Sequence, residues 1–157
     1  ICSRVGCHGK ILTMDTIKLL FHIFLGRLFQ NKISEMSNKI AESGSIQKSV
    51  PGELMKAGVV TKPEGVGPPL HEQPNEEQFT LVLEGKLHYI LGDEERILES
   101  GDLIHIPRGV AHRSRALDGP ATFFTVKSPA GSGDLNEDHQ RAKRDEEAEK
   151  SYPEASG

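Results

Sequence analysis

The chain has 157 residues, a formal net charge of −4 and an apolar fraction of 36%, which suits one domain with a core of its own. That charge, with no basic stripe interleaved with aromatics, excludes the electrostatic footprint of a nucleic-acid binder. Sixteen glycines and nine prolines favour many turns and short strands over long helices.

Taken in chain order, the first element is anomalous. Cys2 and Cys7, with His8 beside them, have no second cysteine pair to complete a zinc pattern. The segment ILTMDTIKLLFHIFLGRLFQ (11–30) is rich in Leu, Ile and Phe. Its uninterrupted apolar core is too short to span a bilayer, and no small-residue cleavage site follows it. Residues 1–35 are therefore read as an N-terminal extension, helical or disordered and native or not, with MSNKIAESGS from Met36 opening a typical soluble start. No cysteine occurs after Met36, so the body needs no disulfide, which fits a cytoplasmic setting.

Residues 46–128 read as short strands: MKAGVV (55–60), EQFTLVL (77–83), KLHYIL (86–91), RIL (96–98), DLIHI (102–106), AHRSRAL (111–117) and ATFFTV (121–126). Turn chemistry separates them at Glu84-Gly85, Gly92-Asp93, Ser100-Gly101, Pro107-Arg108-Gly109 and Asp118-Gly119-Pro120. This spacing predicts an all-β sandwich or barrel. Residues 129–157 form a charged C-terminal tail. Within it DLNEDHQRAKRDEEAEK (134–150) is predicted as an exposed helix or a disordered segment; its i,i+4 pairs, such as Glu137 with Arg141, each contribute roughly 0.2–0.5 kcal/mol.

Strand parity selects candidate site residues. Alternate side chains share a face, so His71 and Gln73 point together if their segment is extended. In EQFTLVL the set Gln78, Thr80 and Val82 forms a polar-headed face suited to a pocket floor, while Phe79, Leu81 and Leu83 form an apolar face expected to be packed in the core or at an interface. In AHRSRA the face of His112, Ser114 and Ala116 opposes that of Arg113 and Arg115. His105 and His88 fall on faces turned from this cavity. Glu72, Glu76 and Glu77 are expected to be solvated at its mouth, and the three arginines Arg108, Arg113 and Arg115 to lie at the surface.

Gly65, His71, Gln73, Gln78 and Gly85 have the spacing of the first motif of the cupin superfamily, with Gln73 in place of its second histidine and Gln78 in place of its glutamate. Gly101, Pro107, Gly109 and His112 follow the second motif, with Ala116 in place of its asparagine. The chain thus resembles a small, single-domain, bacterial-type cupin. The resemblance implies a double-stranded β-helix (jelly-roll) barrel over about 46–128 and a homodimer. It also implies one divalent first-row ion (Mn, Fe, Co, Ni or Zn) held by His71, Gln73, Gln78 and His112. Two imidazoles and two amide oxygens would leave that ion its full charge, which suits Lewis-acid isomerase or lyase chemistry on a small sugar-acid-like, carboxylated or hydroxylated molecule. Tyr89 is the candidate general acid, and Thr80 and Ser114 are candidate substrate contacts. Dioxygenation, and ligand binding without catalysis, are the alternatives. No nucleic acid and no membrane is expected as partner.

Overall fold

The computed structural model describes residues 33, 36–150 and 152, and the reading of an N-terminal extension falls outside them apart from Ile33. The chain divides into Ile1–Glu35 and Met36–Gly157, and the described strands all belong to the second unit. They are β1 (Lys39–Ile40), β2 (Ile46–Pro51), β3 (Lys56–Lys62), β4 (His71–Glu72), β5 (Glu77–Leu91), β6 (Glu94–Glu99), β7 (Leu103–Ile106), β8 (His112–Ser128) and β9 (Gln140–Arg141), and one short helix, α1 (Asp145–Lys150), comes after them.

Two long strands organise the barrel. β5 and β8 run antiparallel along their whole length, from Glu77 opposite Ser128 to Leu91 opposite His112. The half of β8 from Ala121 to Lys127 continues into β3, β2 and β1, while the matching half of β5 pairs with β7. At the other end His112 pairs with β4, β4 pairs with β9, and the second half of β5 pairs with β6. Each long strand therefore passes from one layer of the barrel to the other. The apolar core lies between the layers, with Val60, Val82, Leu87, Ile106, Ala116 and Phe123 among its members.

The expected turns at Glu84-Gly85 and Asp118-Gly119-Pro120 are not chain reversals. They are bends inside β5 and β8, where the register shifts between Val82 and Lys86. A bulge of this kind bends a strand without ending it. Gly85 has a φ of +79°, and a Cβ there would sit 2.4 Å from the Pro120 carbonyl oxygen. Only glycine meets both demands, so the turn signal was real and its product was a corner.

Three further expectations change. Phe79 and Leu83 are exposed and Leu81 is only half-buried, whereas Gln78, Thr80 and Val82 point inward; the polar-headed face of β5 is the interior one. Glu76 is not solvated: it is buried against Lys56, with Oε1 2.5 Å from Nζ. Arg113 is fully buried on the face opposite His112, with Glu149 3.5 Å away. A guanidinium held between sheet and tail escapes the usual surface preference because a carboxylate arrives from a distant part of the chain.

The tail is not a solvated appendage. Leu135 joins the main core, while Ala142 and Ala148 pack on Leu70 and Ile90. Backbone bonds reinforce this docking: Ala142 N–H donates to Leu70 O at 2.9 Å, and Leu70 N–H donates to Asp145 Oδ1 at 2.6 Å. Instead of one long helix, residues 134–150 form turns, β9 and α1. No helix among the described residues is long and apolar enough to cross a membrane.

Candidate functional site

His71 and His112 are direct cross-strand partners of β4 and β8. Their ring centroids lie 4.3 Å apart at 56°. Each is anchored through Nδ1, His71 to Pro69 O at 2.9 Å and His112 to Val110 O at 2.8 Å. A carbonyl only accepts, so Nδ1 carries the proton and the neutral ring keeps a free lone pair on Nε2. Burial holds both rings neutral: it lowers His71 well below the usual imidazole range, with help from His112 and His139, and brings His112 down to about 4.

These histidines line a cavity of about 50 Å³ inside the barrel, together with Gln78, Thr80, Tyr89 and Ser114. Gln78 Nε2 donates to Thr80 Oγ1 at 2.8 Å, which leaves the Gln78 amide oxygen uncommitted. Tyr89 is buried, and desolvation raises its phenol above the usual range. Gln73 is not among the lining residues. It is fully buried beside them, and neither atom of its amide has a protein partner. Its backbone carbonyl accepts from Gly109 N–H at 2.9 Å, tying the first motif's strand to the turn of the second.

Sequence reasoning missed three titratable cavity residues. His139 comes from the tail, and its ring lies 3.9 Å from that of His71 at 34°; burial, then the charge of Lys127, lowers it to about 3. Lys62 and Lys127 project from the inner faces of β3 and β8. Parity puts Lys62 on the face of Val60 and Lys127 on the face of Phe123 and Thr125, but a lysine ending such a face is rarely read as cavity lining. An outer cavity of about 500 Å³ shares the wall of Ser43, Pro68, His71, Asn136 and His139 with the inner one.

The model of the family described as "Cupin domain" matches residues 58–127. Residues 58–127 are a cupin domain. Among solved structures it is similar to an RmlC-like cupin from Shewanella frigidimarina, with 16% identity, TM-score 0.61, and 66% of this chain and 93% of that one covered. It is likewise similar to KdgF from Halomonas sp., with 24% identity, TM-score 0.58, and 61% and 90% covered. A single-substitution variant of oxalate decarboxylase from Bacillus subtilis matches at 22% identity and TM-score 0.61, over 70% of this chain but only 31% of that one. At these identities the likeness concerns the fold. No curated protein sequence matches the chain.

Two other histidines of this cupin stay out of the cavity. His105 is exposed, stacks on Phe79 at 4.6 Å and meets Glu77 at 2.7 Å. His88 is buried on the other face of β5, where Nε2 meets Glu95 at 2.5 Å. Among the described residues no three His, Cys, Asp or Glu side chains are grouped to hold an ion. The donors that the cupin motifs offer are instead two imidazole nitrogens and amide oxygens.

Proposed function

We propose that this cupin is a metal-dependent enzyme acting on a small polar carboxylated or hydroxylated molecule. The observation that carries the reading is the pair His71 and His112. They face each other across the strands, are held neutral, and each has Nδ1 tied to a carbonyl so that Nε2 is free. The donor set fits a divalent first-row ion: both imidazoles have an open nitrogen, Gln78 has an open oxygen, and the buried Gln73 amide lacks any protein partner. When bound, such an ion supplies Lewis-acid polarisation of a carbonyl or hydroxyl.

The other roles fall to the chain. Thr80 and Ser114 present hydroxyls to the ligand, and Tyr89, kept protonated by its burial, donates a proton to a developing oxyanion. His139, kept neutral by burial, walls the cavity beside His71 and positions the ligand. Tight walls around about 50 Å³ orient a small group and exclude bulk water. Isomerisation or elimination is the chemistry these groups serve. Homodimerisation belongs to the same proposal, with the exposed Phe79, Leu83 and Phe124 as its apolar face.

Elemental mass spectrometry on the purified full chain, beside a His71→Ala/His112→Ala variant, tests the metal. Near-stoichiometric metal that the double variant loses, with turnover of a sugar acid by the wild type alone, is the expected result. A folded wild type that binds none of Mn, Fe, Co, Ni or Zn would overturn the reading.

A further inference from the structure

Three lysines, Lys56, Lys62 and Lys127, are buried on the inner surface of the barrel. Two of them have carboxylates. Lys56 meets Glu76 and Glu137, and Lys127 faces Glu76 Oε2 at 3.5 Å. Lys62 has none among the described residues. Its Nζ donates to Ser114 O at 2.6 Å and Ser114 Oγ at 2.7 Å and lies 5.3 Å from the centroid of the Phe123 ring. Burial first, then the charges of Arg115, Arg113 and Lys127, all cationic, lowers its pKa to about 7.

The inner cavity repeats this imbalance. Lys62 and Lys127 both line it, and no Asp or Glu does. A buried ammonium without a counter-ion is costly, and an anion entering the adjoining space would offset that cost. A divalent ion held by neutral donors would add positive charge to the same space.

We propose that Lys62 is the anchor of a carboxylate-binding subsite in the inner cavity, the ligand's carboxylate taking the place of the missing counter-ion. Lys127, already facing Glu76, adds to the field that draws the anion in. The cavity of about 50 Å³ admits a carboxylate and its α-carbon, and the remainder of a larger ligand extends past His71 and His139 toward the outer cavity. This rests on the enzymatic reading above and names the charged group of its substrate.

The test uses the full chain with lysine ¹³Cε labels and acetate as probe, followed by NMR. The Lys62 signal is assigned by its loss in Lys62→Met. Acetate is expected to shift that signal saturably, acetamide to leave it unmoved, and acetate affinity to fall at least about ten-fold in Lys62→Met. Equal acetate affinity in a folded Lys62→Met would overturn the proposal, as would equal responses to acetamide and acetate. Stronger binding of inorganic phosphate than of acetate would overturn the carboxylate assignment. Should Lys62→Met fail to fold, assignment moves to Lys62→Gln, and a wild-type Lys62 signal indifferent to acetate still refutes it. Metal content measured on the same samples separates the two readings. A metal-free protein that binds acetate through Lys62 keeps this inference and loses the metal. A metal-loaded one whose acetate binding ignores Lys62 does the reverse.

Discussion

Replacing Lys62 by methionine should stabilise the ligand-free protein at neutral pH and remove part of its pH dependence. The side chain is buried, and desolvation with three neighbouring cations lowers its pKa from 10.5 to about 7. Between those values the unfolded chain binds a proton that the folded chain does not. Unfolding free energy therefore rises with pH, by about 1.4 kcal/mol per unit for one group. Below about pH 7 the penalty is fully present; it shrinks as pH rises and is gone only above about pH 10.5. Lys127, lowered to about 8, adds a second proton of the same sign above that pH. The two bonds to Ser114 offset part of the gain from the substitution, about 1 kcal/mol each. The expected net gain at pH 7 is a few kcal/mol, shrinking to nothing or to a small loss at pH 10. Urea unfolding midpoints measured from pH 7 to 10 check it: the wild-type slope should roughly halve in Lys62→Met above pH 8, where both lysines titrate. Parallel slopes for the two proteins would refute the argument that Lys62 is an uncompensated buried amine.

Three other substitutions test the surroundings of the site. Gln73→Leu removes two buried amide atoms without protein partners and should stabilise metal-free protein by about 1–3 kcal/mol in urea titration; destabilisation would show that the amide is satisfied. Leu135→Ala should cost about 2–5 kcal/mol, because a tail residue fills the main core; a change near zero would mean the tail is not docked. Gly85→Ala places a methyl against the Pro120 carbonyl at positive φ and should cost well over about 1 kcal/mol, read as a fall in melting temperature.

Much of the barrel was legible because alternation and glycine carry direct geometric meaning. The pairs His71/His112 and Gln78/Thr80 follow from parity and motif spacing, and all four line one cavity. The orientation of β5 was harder. Its two faces read as polar-headed and apolar, and ordinary burial preference chose the apolar one for packing. Gln78 and Thr80 do point into a cavity, as the polar-headed face suggested, but that cavity is the barrel interior itself, so Phe79 on the other face is left exposed instead of packed in the core. Bends differ from hairpins by long-range register, which local turn signals do not contain. Glu76 and Arg113 looked solvated because their partners, Lys56 and Glu149, lie 20 and 36 residues away.

The tail shows most clearly how composition conceals a site. Segment 134–150 is dominated by charge, yet Leu135, Ala142 and Ala148 are spaced so that each meets an apolar surface of the barrel. Asp145 fixes the docking from another direction by accepting from Leu70 N–H and pairing with Arg141 Nη2 at 2.5 Å. Between these anchors the chain has little freedom, and His139 is delivered against the ring of His71. Lys127 is bound in the same way, since its Nζ donates to Leu135 O and sits 3.4 Å from His139 Nε2. Docking of the tail and the chemistry of the cavity are therefore coupled. Loss of the Leu135 contact would both open the core and release a wall of the chamber. The cupin motifs of this chain supply the first two imidazoles, and the third depends on residues that carry no motif.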